Sequence, residues 1–173
     1  MARLLFLLFL AFSANTSFGQ GSAETKIIQH LNALDQDSLE NPAPGSTAER
    51  MINHYIRKNW GSGKRASFYS WEYDLKNGEG SVKSEMVGSF LKNKSKATVL
   101  IGAPIKNRSD VALFLGLQKE LAQLKLDVNI MLATTTDFNG DNQGLNYLYE
   151  HMPKSARDIR LVINIDNIGT MNK

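Results

Sequence analysis

Apolar positions along the chain alternate between two spacings, and the changes between them mark out structural elements. From Glu24 to Leu34 the apolar residues Ile27, Ile28, Leu31 and Leu34 recur at helical spacing. Asp35 to Ser46 holds Asp, Asn, Pro and Gly and reads as a loop. Thr47 is the expected N-cap of a second helix, Ala48 to Trp60. Arg50 stands three residues on, so no full capping box is expected. This helix is expected to turn Met51 and Tyr55 inward, with Ile52 and Ile56, and to stop at Gly61-Ser62-Gly63.

Beyond that point the spacing becomes that of strands. Ser67 to Leu75 carries Phe68, Tyr69, Trp71 and Tyr73 and predicts a strand, followed by a turn at Asn77-Gly78. Glu85 to Leu91 predicts another. Ala97 to Ile105 is apolar at nearly every position, as a strand covered on both faces requires. Ser109 is the expected N-cap of a helix with Val111, Phe114, Leu117, Leu121 and Leu124 on one face. Val128 to Ala133 is a further buried strand. Gln143 to Met152 is a short helix stopped by Pro153, and Ile159 to Ile165 is a last strand. This order predicts an α/β fold of three layers, α/β/α, with a largely parallel mixed sheet and right-handed crossovers.

Composition narrows the class. A chain of 173 residues, 42% hydrophobic and 21% charged, is of single-domain length and ordinary for a globular protein. The first residues depart from this average. Arg3 is followed by a nearly unbroken apolar run from Leu4 to Phe12, then by the small residues Ser17 and Gly19. This is the pattern of a secretory leader, expected to be cleaved after Gly19, and the run is too short to span a bilayer of about 30 Å. Residues 1–19 are therefore assigned as leader, 20–46 as an N-terminal helix and loop, and 47–173 as the α/β domain. A secreted or periplasmic location is expected, with no membrane association once the leader is removed.

The chain has no cysteine, so thiolate ligands and a cysteine nucleophile are absent. The formal charge of +3 is spread along the chain, and Lys92, Lys94 and Lys96 are its nearest approach to a basic cluster. No aromatic residue interleaves with them to stack on bases, so nucleic acid is not an expected partner. No Gly-rich phosphate loop follows a strand. Thr134, Thr135, Thr136 and Ser109 have no histidine placed to activate them as nucleophiles.

In a parallel sheet ligands collect at the carboxyl ends of the strands. Three such ends carry polar runs: Lys106 to Asp110, Asp137 to Gly144, and Asp166 to Gly169. Taken singly, these Asp and Asn residues are ordinary turn and cap residues. Asp166 stands out because it directly follows an apolar strand, where a charge without a partner is costly.

Together these segments resemble the co-catalytic zinc exopeptidases of peptidase family twenty-eight, which include bacterial leucine-type aminopeptidases and are related to the glutaminyl cyclases. Pro44-Gly45-Ser46 with the helix after it is similar to the opening of that family. Ala97 to Ala103 resembles its strand leading to the first metal ligand. Ser109-Asp110-Val111-Ala112 resembles a Ser-Gly-Val-Ala helix start. Phe138 to Leu145 resembles its Asp-Gly-Glu-Glu-Gln-Gly-Leu stretch, and Asn164 to Gly169 its Asn-Met-Asp-Met-Ile-Gly signature. The likeness runs in order from about Pro42 to Gly169.

The resemblance implies two zinc ions about 3.5–4 Å apart that share a water and a bridging carboxylate. It further implies five protein ligands and a neighbouring Glu as general base. The matched positions depart from this set. Pro104 stands where the first ligand His is expected. Lys106 stands where the bridging Asp is expected, opposing cations rather than holding them. Asp141 occupies the general-base position with a side chain one methylene shorter, and Asn142 replaces the adjacent ligand Glu with a neutral amide. Asp166 alone is unchanged, and the last His ligand would lie beyond Lys173. A shifted gap would bring Asp110 toward the site instead. His30, His54 and His151 fall on helices away from these positions and read as surface or helix-end residues.

The expected product is an exopeptidase-like domain, truncated at its C-terminus, with no intact two-zinc centre. Zinc is expected only if the family activity is retained, and a peptide or protein is the expected partner class. The alternative is an active secreted metallo-aminopeptidase. A last strand left without a neighbour would present an open sheet edge.

Overall fold

The computed structural model describes residues 20–35, 39, 42–60, 66–76, 80–105, 108–136 and 142–165, with the backbone alone at 20–23. The expected turns at 61–63 and 77–78 and the leader lie outside these residues. Two helices, α1 (Gln20–Leu34) and α2 (Thr47–Asn59), precede three strands, β1 (Ala66–Lys76), β2 (Ser81–Leu91) and β3 (Thr98–Pro104). There follow α3 (Arg108–Gln123), β4 (Asn129–Thr135), α4 (Gln143–His151), a single 3-10 turn at Lys154–Ala156, and β5 (Ile159–Asn164).

The five strands form one mixed sheet in the order β1-β2-β4-β3-β5. β1 and β2 are an antiparallel pair in continuous register from Ala66↔Leu91 to Lys76↔Ser81, and β2 is antiparallel to β4. β3 runs parallel to both β4 and β5. The parallel character thus belongs to the three strands whose ends carry the candidate site.

Hydrophobic burial explains this arrangement. All seven residues of β4 are buried, as are all of β3 before Pro104. Strands buried on both faces need cover on both. Alternate side chains go to opposite layers. Val99, Ile101, Ile130 and Leu132 pack with Leu34, Ile56, Val111 and Phe114, drawn from α1, α2 and α3. Leu100, Met131 and Ala133 pack on the other face with Leu148 and Met152 of α4 and its C-cap. The result is the expected three-layer sandwich. Each fully buried Leu, Ile or Phe contributes about 1.5–3 kcal/mol. β5 lies at the sheet edge among the described residues, with Val162 half exposed.

Three local expectations are corrected. The N-cap of α2 is Ser46, not Thr47: Ser46 Oγ accepts the Glu49 backbone N–H at 3.1 Å. The residue three positions after the true cap is therefore acidic. Glu49 Oε2 accepts the Gly45 N–H at 2.6 Å, and Glu49 Oε1 accepts the Ser84 hydroxyl, so a buried carboxylate ties the start of α2 to β2. Gly45 has φ of 73° and abuts Val82, a place that only glycine fills without strain. Second, α2 buries Ile52, Asn53 and Ile56, while Met51 is half exposed, because the helix rests on β2 through the former stripe. Third, α3 begins at Arg108, so Ser109 lies inside its first turn rather than capping it.

His30 is half-buried rather than a surface residue. A 2.9 Å hydrogen bond joins its Nδ1 to the Tyr55 hydroxyl, linking α1 to α2. Burial, and then the charge of Lys119 on α3, lowers its pKa below the ordinary imidazole value of 6.5. A lowered folded-state pKa means the unfolded chain takes up the proton first. Stability from this group is complete above about pH 6.5 and is lost as pH falls from there toward the folded-state value. Melting temperature measured from pH 7.5 to 5 is expected to fall less in His30→Gln than in the parent. Glu49→Ala is expected to cost about 2–4 kcal/mol in urea denaturation, against about 0.5 kcal/mol or less for exposed Glu72→Ala.

Candidate functional site

The parallel strands bring three chain segments to one end of the sheet. Pro104, the last residue of β3, lies opposite Thr135 of β4, and the Ile105 N–H donates to Thr135 O at 3.1 Å. On the other side Gly102 pairs with Asn164, and the Ile165 N–H donates to Gly102 O at 2.8 Å. Ile105, Thr136 and Ile165, the residues directly after the three strands, are thereby at a common end of the sheet.

α4 is held over the end of β4 by a set of contacts that sequence reading did not single out. The Tyr73 hydroxyl donates to Thr136 O at 2.7 Å, inside the protein. A Cβ on Gly144 would stand 2.8 Å from both Thr136 O and the Tyr73 hydroxyl oxygen, so the first turn of α4 fits only with glycine there. Gln143 completes the clasp. Its Oε1 accepts the Lys76 N–H and its Nε2 donates to Lys76 O, each at 2.8 Å, extending the hydrogen bonding at the end of β1. Tyr147 stacks on Tyr73 with ring centroids 5.0 Å apart, and His151 stacks on Tyr147 at 3.8 Å. The only advance signal for this clasp was the Gln-Gly pair itself, since its partners lie 67 positions earlier for Gln143.

This seating leaves Asn142 as the exposed N-cap of α4, in the left-handed region with φ of 58° and no side-chain cap bond. Asparagine is among the few residues that adopt this conformation at low cost. Asn142 thus precedes the turn of α4 that abuts Thr136, just past the end of β4. Thr136, beside it in space through Gly144, is buried with Oγ1 lacking a hydrogen-bond partner among the described residues. Asp110 does not stand open to the strand ends: it is fully buried in the first turn of α3, where the helix N-terminus favours a carboxylate. Lys106, Asp141 and Asp166 lie outside the described residues.

Of the matched ligand positions that are described, Pro104 offers no side-chain donor and Asn142 offers a neutral amide. His54 and His151 are exposed on α2 and α4, and His30 is engaged between helices. Among the described residues no three His, Asp or Glu side chains cluster. A pair of zinc ions needs several carboxylates and imidazoles in one place; of the matched ligand positions the described residues include Pro104 and Asn142, while Asp141 and Asp166 lie outside them.

No family model matches the chain, and neither does any curated protein sequence. Solved structures do match. One, assigned as a zinc-dependent exopeptidase from Bacteroides vulgatus, has a TM-score of 0.67 at 18% identity, over 81% of this chain and 58% of its own. The leucine aminopeptidase precursor of Bacteroides thetaiotaomicron has a TM-score of 0.62 at 14% identity, over 85% and 61% of the respective chains. The fold is that of the zinc exopeptidases. Glutaminyl cyclases share it: the enzyme of Bacteroides thetaiotaomicron, solved with N-acetylhistamine, matches with a TM-score of 0.62 at 14% identity over the same shares. The chain spans about 58–61% of the length of these structures.

Within this zinc-exopeptidase fold, Gly144→Ala is expected to destabilise by about 1–3 kcal/mol, because the added methyl meets backbone. Asn142→Gly is expected to be neutral or better, and Asn142→Val to cost about 1–2 kcal/mol. Chemical denaturation of the three variants measures both effects. An equal loss in the Gly and Val variants would show that the left-handed backbone is not what asparagine serves there.

Proposed function

We propose that this is an exported domain of the zinc-exopeptidase fold in which two-zinc catalysis is not assembled, and which acts by binding a peptide or protein or by a structural role. The observation that carries this reading is Pro104. It ends β3 in register with Thr135, at the place where the resemblance calls for a histidine ligand, and it has no atom to offer a metal.

Electrostatics argues in the same direction. Two dications about 4 Å apart repel strongly, and acids between and around them are what holds them there. By the resemblance, Lys106 takes the bridging position and Asn142 a ligand position, so one acid becomes a cation and another loses its charge. An ammonium paired with Asp141 or Asp166 would restore charge balance without metal. Among the described residues the two core clusters are built from aliphatic and aromatic side chains, which need no metal to pack. Loss of metal chemistry is therefore compatible with a stable fold.

The leader pattern supports export, and no helix among the described residues is long and apolar enough to cross a membrane. The chain recovered from an exporting host is expected to begin at Gln20 on N-terminal sequencing, or within a residue or two of it.

Elemental analysis of the purified chain after growth with added zinc is expected to find well under one zinc per chain. Neither release of leucine from leucine anilide nor cyclisation of an N-terminal glutaminyl peptide is expected. One zinc or more per chain, together with either activity, would establish the alternative of an active metalloenzyme.

A further inference from the structure

The end of the sheet opposite the candidate site has a charge pattern of its own. β2 runs into it, and β3, β4 and β5 run out of it: Leu91 lies opposite Ile130, and Thr98 opposite both Asn129 and Ile159. Three segments meet there, residues 92–97, 124–128 and 154–160. Together they hold seven basic residues, Lys92, Lys94, Lys96, Lys125, Lys154, Arg157 and Arg160, and two acidic ones, Asp127 and Asp158. The excess at this end is greater than the +3 of the whole chain. Asp158 is already paired with Arg160 at 2.9 Å.

The loop between β2 and β3 is built to present its lysines. Asn93 donates from its backbone N–H to Asn129 Oδ1 at 2.8 Å and from Nδ2 to Val128 O at 2.7 Å. Asn129 Nδ2 donates to Ser95 O at 3.0 Å, and the Ala97 N–H donates to Ser95 Oγ at 3.1 Å. Asn93, Ser95 and Ala97 are half-buried by these bonds, while Lys92, Lys94 and Lys96 between them are exposed. Lys125 is exposed on the adjoining segment, and none of these four lysines is in an ion pair among the described residues. Holding the backbone in place reduces the conformational freedom lost when the lysines meet a partner.

We infer that this basic end rests against a membrane surface carrying anionic phospholipid headgroups, with the candidate site facing away from the bilayer. Charge complementarity selects an anion. The lysines fall on three separate segments at one end of the sheet, Lys92 to Lys96, Lys125 and Lys154, which suits an extended array of charge. The three segments contain no aromatic residue, so a single-stranded nucleic acid would find nothing to stack on. Their apolar residues Leu124, Leu126, Val128 and Ile159 pack against the core clusters, so the contact is electrostatic and reversible by salt. Contacts of this kind need no apolar run.

The test is flotation of the chain from Gln20 to Lys173, which carries every described element, with phospholipid vesicles of two compositions. Binding is expected to vesicles with about a third phosphatidylglycerol and not to pure phosphatidylcholine, and to be lost at high salt. Each lysine near such a surface strengthens binding about fivefold. The variant Lys92→Gln, Lys94→Gln, Lys96→Gln is therefore expected to bind about 100-fold more weakly. Lys58→Gln, Lys76→Gln, Lys83→Gln makes the same change of net charge elsewhere and is expected to stay within about twofold of the parent. Equal binding to neutral vesicles, equal loss in the two triple variants, or preferential binding of an oligothymidylate over anionic vesicles would each overturn the inference. Circular dichroism of both variants establishes that they are folded.

Discussion

Burial of β3 and β4 on both faces is the constraint from which the rest of the architecture follows. Their side chains alternate between two layers, and neither layer is complete without helices over it. α1, α2 and α3 close one side, with Phe114 and Ile56 fully inside, and α4 closes the other through Leu148. With both faces of β3 and β4 covered, the chain reaches solvent beyond their ends. At one end β3, β4 and β5 run out into Ile105, Thr136 and Ile165. The other receives the lysine-bearing loops. The fold thus separates two chemically distinct surfaces by the length of its strands.

Elements whose own residues determine them were legible in the sequence. β3 and β4 were visible as apolar runs, and α3 as a helical stripe, because burial imposes a period on the residues that are buried. The resemblance in Asn164 to Gly169 and in Gln143-Gly144 pointed to the fold now seen in the solved structures, although no family model matches. What escaped notice depended on partners far along the chain. Glu49 was not singled out, because its partner Ser84 lies 35 positions away. Met51 fitted a helical stripe as well as Ile52 did, and only the position of β2 separates them. His30 read as a surface residue because Tyr55 is 25 positions away. The candidate site was legible as a place more than as a set of contacts: Asn142 stands just past the end of β4, Asp110 is closed within α3, and Lys106, Asp141 and Asp166 are outside the described residues.

The distribution of stabilising contacts bears on how such a site can change. The clusters that stabilise the three layers are aliphatic and aromatic, and the ion pairs of Arg57 with Glu85 and Arg108 with Asp35 involve exposed groups. Surface pairs of this kind contribute little to stability. Neither category includes the positions at which Pro104 and Asn142 depart from the family pattern. Substitution there changes what the sheet end can hold more than whether the sheet forms.

The clasp around Gly144 also bears on how sequence signatures are interpreted. Gln143 and Gly144 are the best-matched part of the Phe138 to Leu145 segment, yet their contacts are with Lys76, Tyr73 and Thr136, inside the scaffold. They dock a helix, through contacts that do not involve the side chain preceding them. A pattern search weighted toward this pair would detect the fold and not the chemistry. The two positions just before it are the ones that discriminate.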